Sequence, residues 1–242
     1  MRFAVIVPAR LQSTRLPNKP LLKIEGKTMV RRTLERVLES GVRPVVLAAD
    51  DLRILEEAQG LEGVIPLMTK VEHSCGTERV LEAYQKLAGL MGPFDGIINV
   101  QGDEPFVDPK MLSALLEELP KRWDKAQFWT TVTQISEAEQ DDPNVAKVVL
   151  QQNQNALIFT RQRLDQAYKH TSVYIYTPDF LSLFCSLPPS PLERAYRLEQ
   201  MRALDNGHPL NCIPLPFDSV SINDERDLKK AGVTDYQIFG GP

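Results

Sequence analysis

Gly96-Ile97-Ile98-Asn99-Val100-Gln101-Gly102-Asp103-Glu104-Pro105 is the stretch on which the fold turns. Its first half is an apolar run of strand length. Its second half becomes polar at once, through Gly-Asp and Glu-Pro pairs that favour turns. A short apolar run bounded by turn residues fits a buried strand. The turn then carries a carboxylate, Asp103, at the carboxyl end of that strand, where open α/β sheets bind their ligands. A hard carboxylate oxygen there suits Mg²⁺ bridging a protein and a nucleotide phosphate. A plain polar turn fits this stretch equally well, so the surrounding chain has to decide.

Apolar runs and helical patterns alternate on either side. Phe3 to Pro8 reads as a strand, followed by a polar loop from Ala9 to Pro20. Met29 to Glu39 reads as a helix with Met29, Val30, Leu34, Val37 and Leu38 on one face. Val45 to Ala49 is a buried strand, and Asp50-Asp51 can start a helix from Leu52 to Gln59. Val64 to Met68 is strand-like, and Thr77 can cap a helix running to about Leu90. Another helix is expected from Pro109 to Leu119. Strands alternating with helices predict βαβ units and a mainly parallel sheet. The second half is less regular. Strands are expected at Phe128 to Val132, Ala146 to Leu150, Ala156 to Thr160 and Val173 to Tyr176, with a hairpin through Gln151 to Asn155. Helices are expected near Pro178 to Cys185, Leu192 to Asn206 and Glu225 to Ala231. The pattern predicts one α/β domain over residues 1–242, with a small subdomain or dimerisation arm in the less regular half.

Composition narrows the function classes. The 242 residues suffice for a substantial core. With 28 basic and 32 acidic residues the net charge is −4, which gives no global attraction to nucleic acid or to an anionic membrane. No apolar segment has transmembrane length. Met1 to Pro8 starts as a strand without a signal-peptide pattern, so a cytoplasmic protein is expected. Cys75, Cys185 and Cys212 are scattered without Cys-x-x-Cys spacing, which fits a reducing compartment and argues against structural zinc.

The loop Pro8-Ala9-Arg10-Leu11-Gln12-Ser13-Thr14-Arg15-Leu16-Pro17-Asn18-Lys19-Pro20 leaves the end of the first strand. It holds three cations, two hydroxyls and no acidic residue. Guanidinium forks, backbone N–H groups and an ammonium can surround a polyphosphate. It lacks the glycines of a Walker loop or a dinucleotide fingerprint. His73-Ser74-Cys75-Gly76-Thr77-Glu78-Arg79 precedes a helix and offers backbone donors at its positive end, although a plain N-cap would look the same.

Taken in order, several short motifs become specific. They are Pro8-Ala9-Arg10, Ser13-Thr14-Arg15-Leu16-Pro17, Lys19-Pro20-Leu21, Gly76-Thr77-Glu78-Arg79 and Asn99 to Pro105. Pro143-Asn144, Lys147-Val148-Val149, Pro189 to Glu193, Leu198-Glu199-Gln200 and Arg202 follow. Together they resemble the 3-deoxy-manno-octulosonate (Kdo) cytidylyltransferase, or CMP-Kdo synthetase, family over nearly the whole chain. The resemblance implies a Rossmann-like nucleotidyltransferase domain that dimerises through an arm. It implies a reaction of CTP with an acidic 3-deoxy sugar, giving a CMP-sugar and pyrophosphate for an outer-membrane glycolipid, the lipopolysaccharide. It implies that Arg10, Arg15 and Lys19 hold the triphosphate and that Asp103 binds Mg²⁺. Gln101, Arg79, His170, Tyr174 and Glu199 would line the sugar pocket, and Ser13, Gly76 and Arg161 complete the implied substrate-binding set.

Departures from the family pattern fall on the sugar and second-metal side. The family's Val-Asp-Thr-Pro-Glu-Asp-Leu corresponds to Ile222-Asn223-Asp224-Glu225-Arg226-Asp227-Leu228, so the second metal position falls on Asn223, a neutral oxygen ligand. Asp224 is the alternative after a local shift. The family's Ser-Gly-Thr-Glu-Arg becomes Cys75 to Arg79, and its Arg-His-x-Gly-Ile-Tyr becomes Lys169-His170-Thr171-Ser172-Val173-Tyr174. The segment from Arg161 to His170 is shorter than usual. These changes keep two alternatives open: a synthetase for a related acidic sugar, such as an 8-amino Kdo analogue or another nonulosonate, and a nucleotide-binding homologue with reduced catalysis.

Overall fold

The computed structural model describes residues 1–13 and 16–238, so Arg15 lies outside the described residues. The described chain begins β1 (Phe3–Ala9), β2 (Lys23–Ile24), β3 (Lys27–Thr28), α1 (Met29–Glu39), β4 (Val45–Ala49), α2 (Leu52–Leu55), β5 (Val64–Met68), α3 (Gly76–Met91), β6 (Gly96–Val100) and α4 (Pro109–Glu118). It continues β7 (Phe128–Gln134), α5 (Glu137–Gln140), β8 (Lys147–Leu150), β9 (Ala156–Thr160), β10 (Tyr168–Tyr176), α6 (Pro178–Ser186), α7 (Pro191–Tyr196), α8 (Met201–Asp205), β11 (Asn211–Pro214), α9 (Glu225–Lys230) and β12 (Tyr236–Gln237). Two compact units emerge: Met1–Ser113 together with the segment from Asp218 onward, and Ala114–Phe217.

In the first unit the strands lie in the order β6-β1-β4-β5, every neighbouring pair parallel. β4 and β6 are buried along their whole length, as is β1 after its first residue. A strand covered on both faces reads as a continuous apolar run, which is why the sequence located these strands. α1 buries Met29, Val30, Thr33, Leu34 and Val37; of the expected face Leu38 is only half-buried, and Thr33 completes the helical stripe in its place. A small antiparallel sheet, β12-β2-β3, closes over a cluster of Leu16, Leu22, Ile24, Met29, Ile222, Leu228 and Val233. Each such side chain contributes about 1.5–3 kcal/mol when fully buried, enough in sum to fasten the C-terminal segment to this unit.

In the second unit β11 runs parallel to β7, while β7-β10, β10-β8 and β8-β9 are antiparallel pairs. The expected hairpin joins β8 to β9. Phe128 packs among Tyr176, Phe180 and Phe184, and Trp129 stacks on Trp123 with ring centroids 4.7 Å apart. Phe128 and Trp129 are fully buried, so they belong to the core of this unit.

Several local expectations change. The helix expected over Leu192 to Asn206 is two helices, because Arg197 adopts a left-handed φ of 53° between α7 and α8. The helix after Asp51 keeps its α geometry only to Leu55 and then tightens. Thr77 does not cap α3; Cys75 holds the N-cap position and the Thr77 side chain is buried.

Candidate active site

Register builds the site. Parallel pairing sets Ala9 opposite Ala49 and Ile6 opposite Asn99, so the loops after β1, β4 and β6 start side by side. The Gly102 N–H donates to the Pro8 carbonyl at 3.2 Å. A Cβ on Gly102 would stand 2.7 Å from that oxygen, so only glycine lets the acidic loop approach β1 this closely. A cavity of about 350 Å³ opens here, within the size range of small-molecule sites. Arg10, Ser13 and Lys19 line it from the first loop, Cys75, Gly76 and Arg79 from the start of α3, and Gln101 and Asp103 from the loop after β6. Seven residues proposed from sequence thus share one cavity.

The cavity's charges are arranged in pairs. Lys19 Nζ lies 2.5 Å from Asp103 Oδ2. Asn18, with a left-handed φ of 50°, turns the chain into the short 3₁₀ turn that presents Lys19. Gln101 Nε2 donates to Asn99 Oδ1 at 3.2 Å, which orients its amide at the base of the loop.

Three groups missed by sequence reasoning support this frame. Glu104 is fully buried and accepts hydrogen bonds from the hydroxyls of Ser219 and Ser221. Burial pushes its carboxyl up to about 8, reinforced by the neighbouring Asp103 charge and opposed by the two serine hydroxyls. Asp50, one residue beyond β4, pairs with Arg79 Nη2 at 3.0 Å. Thr69, one residue beyond β5, accepts from Arg79 Nη1 at 2.5 Å. Burial lowers the Arg79 pKa and the nearby Arg10 charge adds to that, while Asp50 and Glu82 oppose it. Apolar periodicity locates strands but not the polar residues just past them; only the sheet register brings these side chains together.

The C-terminal segment also reaches the acidic loop. The Ile222 N–H donates to the Asp103 carbonyl at 3.0 Å, which brings Asn223 into the same neighbourhood. Asp224 is committed elsewhere: it caps α9 by accepting from the N–H groups of Arg226 and Asp227 and pairs with the Arg226 guanidinium at 2.6 Å. Of the two alternatives, Asp224 is thus engaged by the start of α9 and by Arg226.

Arg161, His170, Tyr174 and Glu199 belong to the second unit. β10 carries two extra residues against β7 between His170 and Tyr174, and Ser172 takes a left-handed φ of 57° there. The irregularity sets the His170 and Tyr174 rings 5.1 Å apart. Thr130 Oγ1 fills it, donating its one proton to the Val173 carbonyl at 2.7 Å and lying 2.8 Å from His170 Nε2. Nε2 then carries the imidazole proton, because that hydroxyl has none left to give. Burial, with the Arg161 charge, lowers the His170 pKa to about 3, so the ring is neutral. Arg161 itself donates to the carbonyls of Pro143 and Asn144 at 3.2 and 2.7 Å. Tyr174 donates to Gln200 Oε1 at 3.1 Å, beside Glu199 in sequence. Among the described residues no helix is long and apolar enough to cross a membrane.

Comparison with known proteins agrees with this geometry. A family model described as cytidylyltransferase matches residues 4–213. A 3-deoxy-manno-octulosonate cytidylyltransferase of Methylococcus capsulatus is 38% identical, covering 95% of both chains. An 8-amino-3,8-dideoxy-manno-octulosonate cytidylyltransferase of Shewanella baltica is 36% identical, covering 95% of this chain and 97% of its own. A solved CMP:2-keto-3-deoxy-manno-octonic acid synthetase complexed with CTP superposes with a TM-score of 0.84 at 33% identity, covering 96% of this chain and 97% of the other. The sheet order, the cavity beyond its strand ends and these similarities lead to one conclusion: the chain belongs to the cytidylyltransferase family of CTP-dependent nucleotidyltransferases.

Proposed function

We propose that this protein joins CTP to 3-deoxy-manno-octulosonate, giving CMP-Kdo and pyrophosphate for lipopolysaccharide synthesis. The observation that carries the reading is the single cavity in which Arg10, Ser13, Lys19, Gly76, Arg79, Gln101 and Asp103 meet, in a chain similar to a CTP-bound synthetase of the same sugar. The anomeric hydroxyl attacks the α-phosphorus of CTP and loses its proton to solvent; the new O–P bond forms as the bond to the pyrophosphate oxygen breaks. Arg10 and Lys19 hold the triphosphate and oppose the charge that moves onto pyrophosphate. Gly76 and the N–H groups at the start of α3 offer donors to the nucleotide. We assign Gln101 and Arg79 to the sugar; Arg161, His170, Tyr174 and Glu199 are assigned to it by the family resemblance alone. His170, being neutral, acts as a hydrogen-bonding group and not as a cation for the sugar carboxylate.

Asp103, a carboxylate lining the cavity, suits Mg²⁺, and the family resemblance adds Asn223 as a neutral oxygen donor. Among the described residues there is no cluster of three or more acidic, histidine or cysteine ligands. One carboxylate and one amide oxygen are nonetheless the sparse set Mg²⁺ takes when waters and substrate phosphates complete its shell. Bound there, Mg²⁺ would supply charge neutralisation to the reacting phosphates. We read residues 1–242 as one functional nucleotidyltransferase domain built of both units, since the family match spans them. We further read the protein as a cytoplasmic homodimer with no nucleic-acid or membrane partner, assembled through an arm in its second half.

A second reading, the 8-amino analogue as sugar, is favoured by the relative from Shewanella baltica, whose 36% identity nearly equals that of the Kdo enzyme. Pyrophosphate release by the purified protein with CTP and Mg²⁺, measured with Kdo, with the 8-amino sugar and with neither, tests both. Release that requires Kdo is expected. Release only with the amino sugar moves the assignment to the second reading, and CTP binding without release on either sugar overturns both.

A further inference from the structure

We infer that Asp50 is a positioning residue for the nucleotide site, holding the loop that carries Arg10 and Ser13 in its working shape. The inference rests on the reading that this loop binds the CTP triphosphate. Asp50 Oδ1 accepts the Leu11 N–H at 3.0 Å, between Arg10 and Gln12, and Oδ2 accepts Arg79 Nη2 at 3.0 Å. Both partners of the ion pair are buried, at 6% and 2% side-chain exposure. The remaining ties fix Arg79 from behind. Its Nη1 donates to Thr69 Oγ1 at 2.5 Å and to the Lys70 carbonyl at 3.1 Å, and Thr69 Oγ1 donates to the Ala49 carbonyl at 3.0 Å. Leu11, Asp50 and Thr69 each sit one or two residues beyond neighbouring parallel strands, and α3 supplies Arg79. One carboxylate thus connects the backbone of the phosphate loop to the helix whose N-terminus lines the same cavity.

The sign of the effect separates positioning from simple electrostatics. A carboxylate near a polyphosphate repels it, so removing Asp50 would tighten CTP binding if charge alone mattered. If Asp50 positions the loop, its removal weakens CTP. Asp50→Asn keeps the volume, removes the charge and leaves Arg79 buried without its anion. The expected result is CTP binding weakened by about tenfold or more, the scale of one charge-assisted hydrogen bond. In an Arg10→Met background the same change should weaken binding by less than about threefold, because contacting groups couple and a shared pathway cannot be lost twice. Calorimetry on the full chain, with CTP as the probe, gives all four affinities. A folded Asp50→Asn variant that binds CTP as tightly as the unchanged protein, or more tightly, overturns the inference. So does an equal loss in both backgrounds, which would indicate a general structural role. If Arg10→Met binds CTP normally, it is the reading of the loop that fails, and the inference with it. Amide exchange on the unchanged protein supplies a check that needs no variant to fold: the Leu11 N–H should be protected without nucleotide, and rapid exchange there would overturn the inference.

Discussion

Asp103 and Glu104 are consecutive carboxylates with opposite surroundings. Asp103 lines the cavity beside Lys19 and is 31% exposed in its side chain, whereas Glu104 is fully buried under two serine hydroxyls. Their separation follows from the turn after β6, which sends one side chain to the cavity and the next under the C-terminal segment. The motif was legible in sequence as a turn with a carboxylate; the division of labour within it was not, because Ser219 and Ser221 lie more than a hundred residues away. A part-exposed ion pair contributes only about 0–1 kcal/mol to stability. Asp103→Asn should therefore melt near the unchanged protein. Its Mg²⁺-dependent turnover should fall by about 10²-fold or more, the scale of losing a group aimed at transition-state charge. Thermal melting and kcat on the same preparation check this, and normal turnover at ordinary Mg²⁺ would remove Asp103 from the metal site.

Among the elements, β10 shows where sequence reading stops. Its second half was evident from the apolar Val173 to Tyr176 run, but the strand begins at Tyr168 and is interrupted between His170 and Tyr174. Periodicity of two cannot register an interruption that breaks that period, and bulges of this kind gather beside functional sites. The same blindness merged α7 and α8 into one helix, since nothing in an apolar stripe marks Arg197 as left-handed. Ser172 carries the cost in β10. A left-handed backbone costs a residue with a Cβ about 1–2 kcal/mol, while glycine brings its own entropic cost of about 0.5–1 kcal/mol. Glycine is also what the resembled family places at this position. Ser172→Gly should therefore stabilise the protein by about 0.5–1 kcal/mol, seen as a higher urea midpoint with unchanged slope. A lower midpoint would mean that the serine side chain holds the interruption together.

For the molecule as a whole, the parallel core of the first unit was readable because its central strands are apolar throughout, and the second unit was less so because its strands are mostly antiparallel and its polar residues are partly internal. His170 is the sharpest instance: the resemblance assigns it to the sugar, but its burial and neutral ring, with a pKa lowered from 6.5 to about 3, could not be read from sequence. That burial links folding to pH. Above pH 6.5 the imidazole is neutral whether the chain is folded or unfolded, and its contribution to stability is fully present. As pH falls, the unfolded chain takes up a proton that the folded chain refuses until near pH 3, so stability is lost across that window. His170→Gln should be less stable at pH 7, by about 1–3 kcal/mol for disturbing a buried hydrogen-bonded group. Because it cannot titrate, the gap between the two proteins should close as the pH is lowered from 6.5 towards 3. Urea midpoints at successive pH values measure that gap. A constant difference across the range would show that His170 gains its proton as easily in the folded protein as in the unfolded one, and that its ring reaches water rather than lying sealed against Thr130 and Phe159.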